Sequence, residues 1–220
     1  MEVLISDLYL KASGRCGMNK YIGFYELKSI ELPAVQWRIL DNSTVLDPKL
    51  LWTVRVAVET GADLNLPRFV GVSAEVAQEE GRRLVNRFSE RGIVVYYPYF
   101  IAVKSGVLEV VADKLIVEAV EKDLWNLVSH GHKNVTIIQI DGNYRYEGEK
   151  GFLEQKELQE LELYAAVIKR RFRSELAEGL SVLAEWSYAY NTDAGHQPAG
   201  GSYLVFYELR TIQGQVLPNL

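Results

Sequence analysis

A chain of 220 residues with 48% hydrophobic and 24% charged residues has the composition of a globular protein long enough to bury a sizeable core. Its net charge of −5 argues against general nucleic-acid binding, which needs clustered cations, and leaves only a local basic patch open. The single cysteine, Cys16, excludes an internal disulfide framework, and no apolar run is long enough for a signal peptide or a membrane span, so a soluble cytoplasmic protein is expected.

Residues 34–40, AVQWRIL, alternate as a strand. In residues 47–61, DPKLLWTVRVAVETG, Asp47 and Pro48 suit a helix start while WTVRVAV is β-branched, which predicts a short helical turn and then a strand. Residues 73–92 predict a helix: Ser73 caps it, Val76, Leu84, Val85 and Phe88 fall near helical spacing, and Gly92 follows its end. The strands IVVYY and YFIAV come next, with Lys104, Ser105 and Gly106 read as a turn into VLEVV. LIVEAV is a further apolar run, followed by polar EKD and by LWNLVSHG, and residues 134–141 read as a strand. Residues 152–179 form the longest element, a helix whose apolar stripe is Leu153, Leu158, Leu161, Tyr164, Ala165, Ile168 and Phe172, ending at Gly179. Two strands close the chain, LSVLAEWSYAY (180–190) and SYLVFYELRTI (202–212), joined by the Gly/Pro-rich loop NTDAGHQPAGG. The mixed order of elements, with many antiparallel neighbours, predicts an α+β fold.

The chemistry concentrates in the last two strands. Glu208 and Arg210 sit two apart, so one sheet face carries a carboxylate and a guanidinium between Phe206 and Ile212. That face is either the solvated side of an antiparallel strand or a site for a charged ligand. Glu185, in the preceding strand, also stands in an aromatic setting. If the two carboxylates pair across the hairpin they repel, and burying them requires a cation or a proton. A hard cation such as Mg²⁺ uses one or two carboxylates plus substrate phosphates, and Arg210 would supply a fork for a phosphate oxygen. Elsewhere the bland readings win. His130 and His132 flank a glycine with no third ligand, the basic KRRFR run (169–173) reads as a solvated helix face, and Cys16 reads as a spectator thiol.

Several stretches, in order, resemble the ATP-grasp nucleotide-binding domain of the phosphoenolpyruvate synthase and pyruvate phosphate dikinase family. MNKYIGFYELKSIELPAVQWRIL is similar to the family's lysine stretch, helix and Pro-containing strand entry, with Lys20 at the phosphate-binding lysine and without the preceding glycines. TVRVAVETGADLNLPRFVG is similar to the Val-Arg-Ser-Ser segment, with Arg55 at the arginine, Val56 and Ala57 in place of the serines, and Phe69 and Gly71 at a Phe-x-Gly. VYYPYFIAVKSGVLEV resembles a third motif with Tyr97 at its glutamine, and VEAVEKDLWNLVSHG a fourth with Glu118 at its glutamate but no glycine loop. Glu185 and Trp186 match a Glu-Trp pair, and Glu208 with Arg210 resembles a Gln-x-Arg strand.

The resemblance spans residues 14–212. It implies one nucleotide-binding unit of two lobes, residues 1–72 with the Lys20 and Arg55 stretches and residues 73–220. It also implies that ATP is bound by Lys20, Arg55, Tyr97, Glu118 and Arg210, with Arg55 and Arg210 as catalytic cations and Glu185 and Glu208 holding Mg²⁺. The adenine would lie against residues 96–100. The family's carrier histidine and pyruvate-binding barrel have no counterpart here, so the resemblance leaves three roles open: phosphorylating a histidine on a separate partner, phosphorylating a small molecule, or binding ATP as a regulatory module. Two other readings stay open: a degenerate relative that binds ATP without turnover, and an interaction protein that uses its 13 tyrosines and 4 tryptophans at an interface.

Overall fold

The computed structural model describes residues 17–63, 65–124 and 133–213. Cys16, His130 and His132 lie outside them, as does most of the LWNLVSHG segment. In chain order the elements are α1 (Lys20–Ser29), β1 (Arg38–Ile39), β2 (Trp52–Val58), β3 (Arg68–Val72), α2 (Ala74–Phe88), β4 (Gly92–Pro98), β5 (Phe100–Val110), β6 (Lys114–Glu121), β7 (Val135–Ile140), β8 (Asn143–Gly148), α3 (Gln155–Arg171), α4 (Arg173–Ala177), β9 (Leu180–Thr192) and β10 (Pro198–Gln213). The strands form two antiparallel sheets, one of four strands ordered β1-β4-β2-β3 and one of six ordered β10-β9-β5-β6-β7-β8. With the helices packed on them this is an α+β fold. Among the described residues, no helix is long and apolar enough to cross a membrane.

The small sheet is covered on both sides, and β2 shows how. Its even residues Trp52, Val54, Val56 and Val58 pack against Ala77, Leu84 and Phe88 of α2. Its odd residues Thr53, Arg55 and Ala57 take the opposite face, because successive side chains of a strand alternate. All seven residues of β2 are buried, so a guanidinium stands in a strand that solvent does not reach on either side. On the large sheet, Val182, Ala184, Trp186 and Tyr188 of β9 join Leu161, Ala165 and Ile168 of α3 in the larger core. That leaves Leu183, Glu185 and Ser187 on the face turned away from α3.

Helix α1 wedges between the two sheets. Asn19 caps it by accepting from the Ile22 amide at 3.1 Å. The same side chain donates to the carbonyls of Val58 (3.2 Å) and Glu59 (2.9 Å), which ties the helix start to the end of β2. On the other side Gly23 lies so close to β10 that an added Cβ would stand 1.8 Å from the Leu209 carbonyl oxygen.

Several local expectations are corrected by pairing. Lys104, Ser105 and Gly106 are not a turn: they continue β5, held between β6 and β9, and Gly106 is glycine because a Cβ would meet the Trp186 ring and the Glu118 carbonyl. Residues 47–50 make the expected single turn before β2, with the Leu50 amide donating to the Asp47 carbonyl at 3.2 Å, whereas the expected strand 34–40 is reduced to Arg38–Ile39. The long helix breaks at Phe172, whose buried ring ends α3 and begins α4. The closing strands extend into the supposed loop, leaving residues 193–197 as the turn. After α2 the chain returns to the small sheet through β4, so the sheets change over at Tyr99.

Gly23→Ala should lower stability by about 1–3 kcal/mol, the usual cost of overpacking, even though alanine is the better helix former. Gly151→Ala, where an added Cβ meets nothing within 4 Å, is the neutral control in the same denaturation series.

Candidate functional site

A bulge in β10 creates the site. Leu204, Val205 and Phe206 pair with Tyr188, Ser187 and Trp186, but the next pair is Glu208 with Glu185. Tyr207 is the extra residue, so every side chain after it changes face relative to an unbroken ladder. Without the bulge Glu208 would stand opposite Ala184 and point into the α3 core. With it, Glu208 and Arg210 join Glu185 on the other face, beneath α1 and β2.

Three cations from three elements meet the Glu208 carboxylate. The Arg55 guanidinium, from β2, donates to Glu208 Oε2 and to the Tyr207 carbonyl, the latter at 3.2 Å. Lys20 Nζ, at the start of α1, lies 3.1 Å from Oε1, and Arg210 Nε lies 3.8 Å from the same oxygen. The Glu208 side chain is only 2% exposed, against 17% for Lys20 and 25% for Arg210. The cluster therefore has a sealed inner pair, Arg55 with Glu208, and an outer pair of cations that solvent reaches.

Burial alone would raise the Glu208 pKa, but Arg55, then Lys20 and Arg210, hold it below the usual value. Glu185 has no such direct grip. Burial and the neighbouring Glu208 push it from 4.5 to about 7, against the pull of Arg55, Lys20 and Arg210. Arg55 keeps its charge in spite of burial because Tyr97, Glu208 and Glu185 surround it. Burial raises the phenols of Tyr97 and Tyr207, and the Ser105 and Ser187 hydroxyls pair at 2.8 Å on the same sheet face. At neutral pH the cluster thus sets three cations against one full carboxylate and one that shares its charge with a proton.

The structure gathers Lys20, Arg55, Tyr97, Glu185, Glu208 and Arg210, six of the seven residues singled out in the sequence. Glu118 stands apart. It lies in the same row of the sheet, beyond Val107, roughly 10 Å from Glu185 by strand spacing, and its carboxylate is held by Lys133 at 2.7 Å and Thr136 at 3.3 Å. Sequence reasoning missed Tyr207, whose carbonyl orients Arg55, because nothing in the apolar run LVFYEL marks a bulge. It also missed Asn19 and Gly23, which hold Lys20 in place, and the buried Glu26 of α1, gripped by Arg171 at 3.0 and 2.8 Å. Among the described residues, no group of three or more His, Cys, Asp or Glu side chains gathers as a metal site.

No family model matches the chain, and no curated protein does. Among solved structures it is similar to the N5-carboxyaminoimidazole synthetase of Staphylococcus aureus, at 12% identity and a TM-score of 0.47, over 87% of this chain and 43% of that one. The chain thus spans less than half the length of that synthetase.

The raised Glu185 pKa fixes a pH dependence. The folded state holds this proton up to about pH 7, the unfolded chain only to about 4.5, so the stabilisation is complete below 4.5 and lost as pH rises to 7. The depressed Glu208 acts in the opposite sense, its contribution being present above its unfolded value and lost as pH falls further. Glu185→Gln should therefore gain stability relative to wild type between pH 4.5 and 7, by up to roughly 3 kcal/mol, in denaturant titrations at the two ends. A difference that does not change with pH would remove Glu185 as the titrating group.

Proposed function

We propose that the chain binds ATP at the face shared by α1, β2 and the β9–β10 hairpin. The observation that carries this reading is the convergence of Lys20, Arg55 and Arg210, from three parts of the sequence, on the buried carboxylate of Glu208, which stands opposite Glu185. A surplus of positive charge in a partly shielded setting is what a triphosphate needs, since phosphoryl transfer asks a protein mainly for positioning and charge neutralisation. Lys20 and Arg210, the two cations that solvent reaches, would meet the phosphates first, while Arg55 orders the carboxylates behind them. Adenine would lie against residues 96–100, where the Phe100 ring packs 5.6 Å from that of Tyr207.

The carboxylates suit Mg²⁺ only in company with the phosphates. Alone, the three cations outweigh Glu208 and a partly protonated Glu185, so a bare divalent ion meets net repulsion. Glu185 and Glu208 would hold a metal that is already coordinated by phosphate oxygens, and the metal would supply neutralisation of the developing charge. The acceptor in this reading is a histidine on a separate protein, toward which Lys20 and Arg210 hold the terminal phosphate. A second reading, a module that binds nucleotide without turnover, draws on the sealed Arg55–Glu208 pair, whose charges already satisfy each other.

Isothermal titration of ATP with Mg²⁺ into wild type should show saturable binding that weakens at least tenfold in Lys20→Ala and in Arg210→Ala. Wild-type protein that stays unbound at millimolar ATP would overturn the nucleotide reading. Binding without phosphate transfer to any histidine-bearing partner would favour the non-catalytic module.

A further inference from the structure

Arg55 bonds Glu208 from within and Lys20 pairs with it from the outer side, yet the donors around that carboxylate are not all satisfied. Arg210 Nε is buried and has no hydrogen-bond partner, standing 3.8 Å from Glu208 Oε1, too far to bond it. Lys20 reaches the same oxygen at 3.1 Å as an ion pair, without a well-aligned hydrogen bond. A buried donor without an acceptor costs free energy that an added oxygen would recover. The cluster therefore contains three cations, one committed carboxylate, and room in its bonding for one more acceptor on the Lys20 and Arg210 side.

We infer that Glu208 is a resident counter-anion: its carboxylate stands where oxygens of a polyphosphate ligand would engage Lys20 and Arg210, and its charge sets how strongly the site accepts such a ligand. The inference rests on the reading that this cluster receives the phosphates of a nucleotide, and it adds what governs their entry. Glu208 keeps the three cations folded together while no ligand is present, because like charges from α1, β2 and β10 would otherwise repel across a buried gap. It also repels the incoming anion at close range. A ligand must therefore bring enough negative charge to take over Lys20 and Arg210, or a cation that masks Glu208, so a polyphosphate is favoured over a monoanion. Glutamine has the shape of glutamate without the charge, and at this position it would free the cations for the ligand and leave them uncompensated without it.

The test compares the full chain with Glu208→Gln and Glu208→Asp, using inorganic tripolyphosphate in the presence of chelator. Glu208→Gln should bind tripolyphosphate at least tenfold more tightly than wild type, equivalent to about 1.4 kcal/mol. Its melting temperature, lower than wild type in dilute buffer, should recover as tripolyphosphate is added. Glu208→Asp keeps the charge and should bind as weakly as wild type. Equal affinities for wild type and Glu208→Gln would overturn the inference, and so would an Asp variant that binds like the Gln variant, since packing and not charge would then be the cause. If Glu208→Gln folds only with tripolyphosphate present, the counter-anion role is supported; if tripolyphosphate fails to rescue it, that role is refuted. Wild-type binding of Mg²⁺–ATP separates the two ideas. Its absence overturns the nucleotide reading and leaves a gain in Glu208→Gln standing as an anion site, whereas its presence without such a gain overturns the counter-anion alone.

Discussion

A carboxylate taken out of water keeps its charge only if neighbours return what solvation gave, and Glu208 obtains that return from three separate elements. Arg55 bonds it directly, Lys20 approaches to 3.1 Å, and Arg210 stands behind at 3.8 Å. Removing one partner of such a pair typically costs about 3–5 kcal/mol, because the other charge is then stranded. The contact therefore links α1, β2 and β10, which are not consecutive elements of the chain. Much of the surrounding geometry serves this link: Asn19 ties α1 to the end of β2, and Gly23 lets α1 touch the backbone of β10.

The second constraint is the bulge at Tyr207. A one-residue shift in register exchanges the two faces of a strand, so a single extra residue turns Glu208 and Arg210 from the α3 core toward the cations. The extra residue is itself used, since its carbonyl accepts from Arg55. The shift also places Glu208 directly opposite Glu185, and burial, together with that proximity, raises Glu185 to about 7. One backbone irregularity thus yields an ionised carboxylate beside one that exchanges its proton near pH 7.

Much of the architecture was legible in the sequence, where pattern and turn chemistry act locally. Ser73 capping α2, the β-branched run of β2, the strand at 134–141 and the closing hairpin all appear where residue types predict them. The failures share a cause. Lys104, Ser105 and Gly106 look like a turn, but pairing on both sides makes them mid-strand, and the glycine answers to the Trp186 ring rather than to a bend. Strand β8 reads as polar because it is an edge strand with most of its side chains exposed, so it lacks the apolar alternation that marks a half-buried strand. For the site, the residue types Lys20, Arg55, Glu185, Glu208 and Arg210 were visible and the resemblance implied one shared ligand for them, whereas the meeting of the three cations on the Glu208 carboxylate was not legible.

By itself the sequence determined an α+β chain, the order of most of its elements, and a closing hairpin with acidic and basic residues out of place on an apolar strand. Those properties follow from side-chain periodicity, caps and turn residues, which act over a few positions. Only the tertiary structure decided that the charged face is buried, that Glu208 is shared by three cations, and that Glu118 belongs to Lys133 and Thr136 instead. The physical reason is register. Alternation specifies which residues share a face but not which face is covered, and a bulge can exchange the two without a mark in the residue pattern.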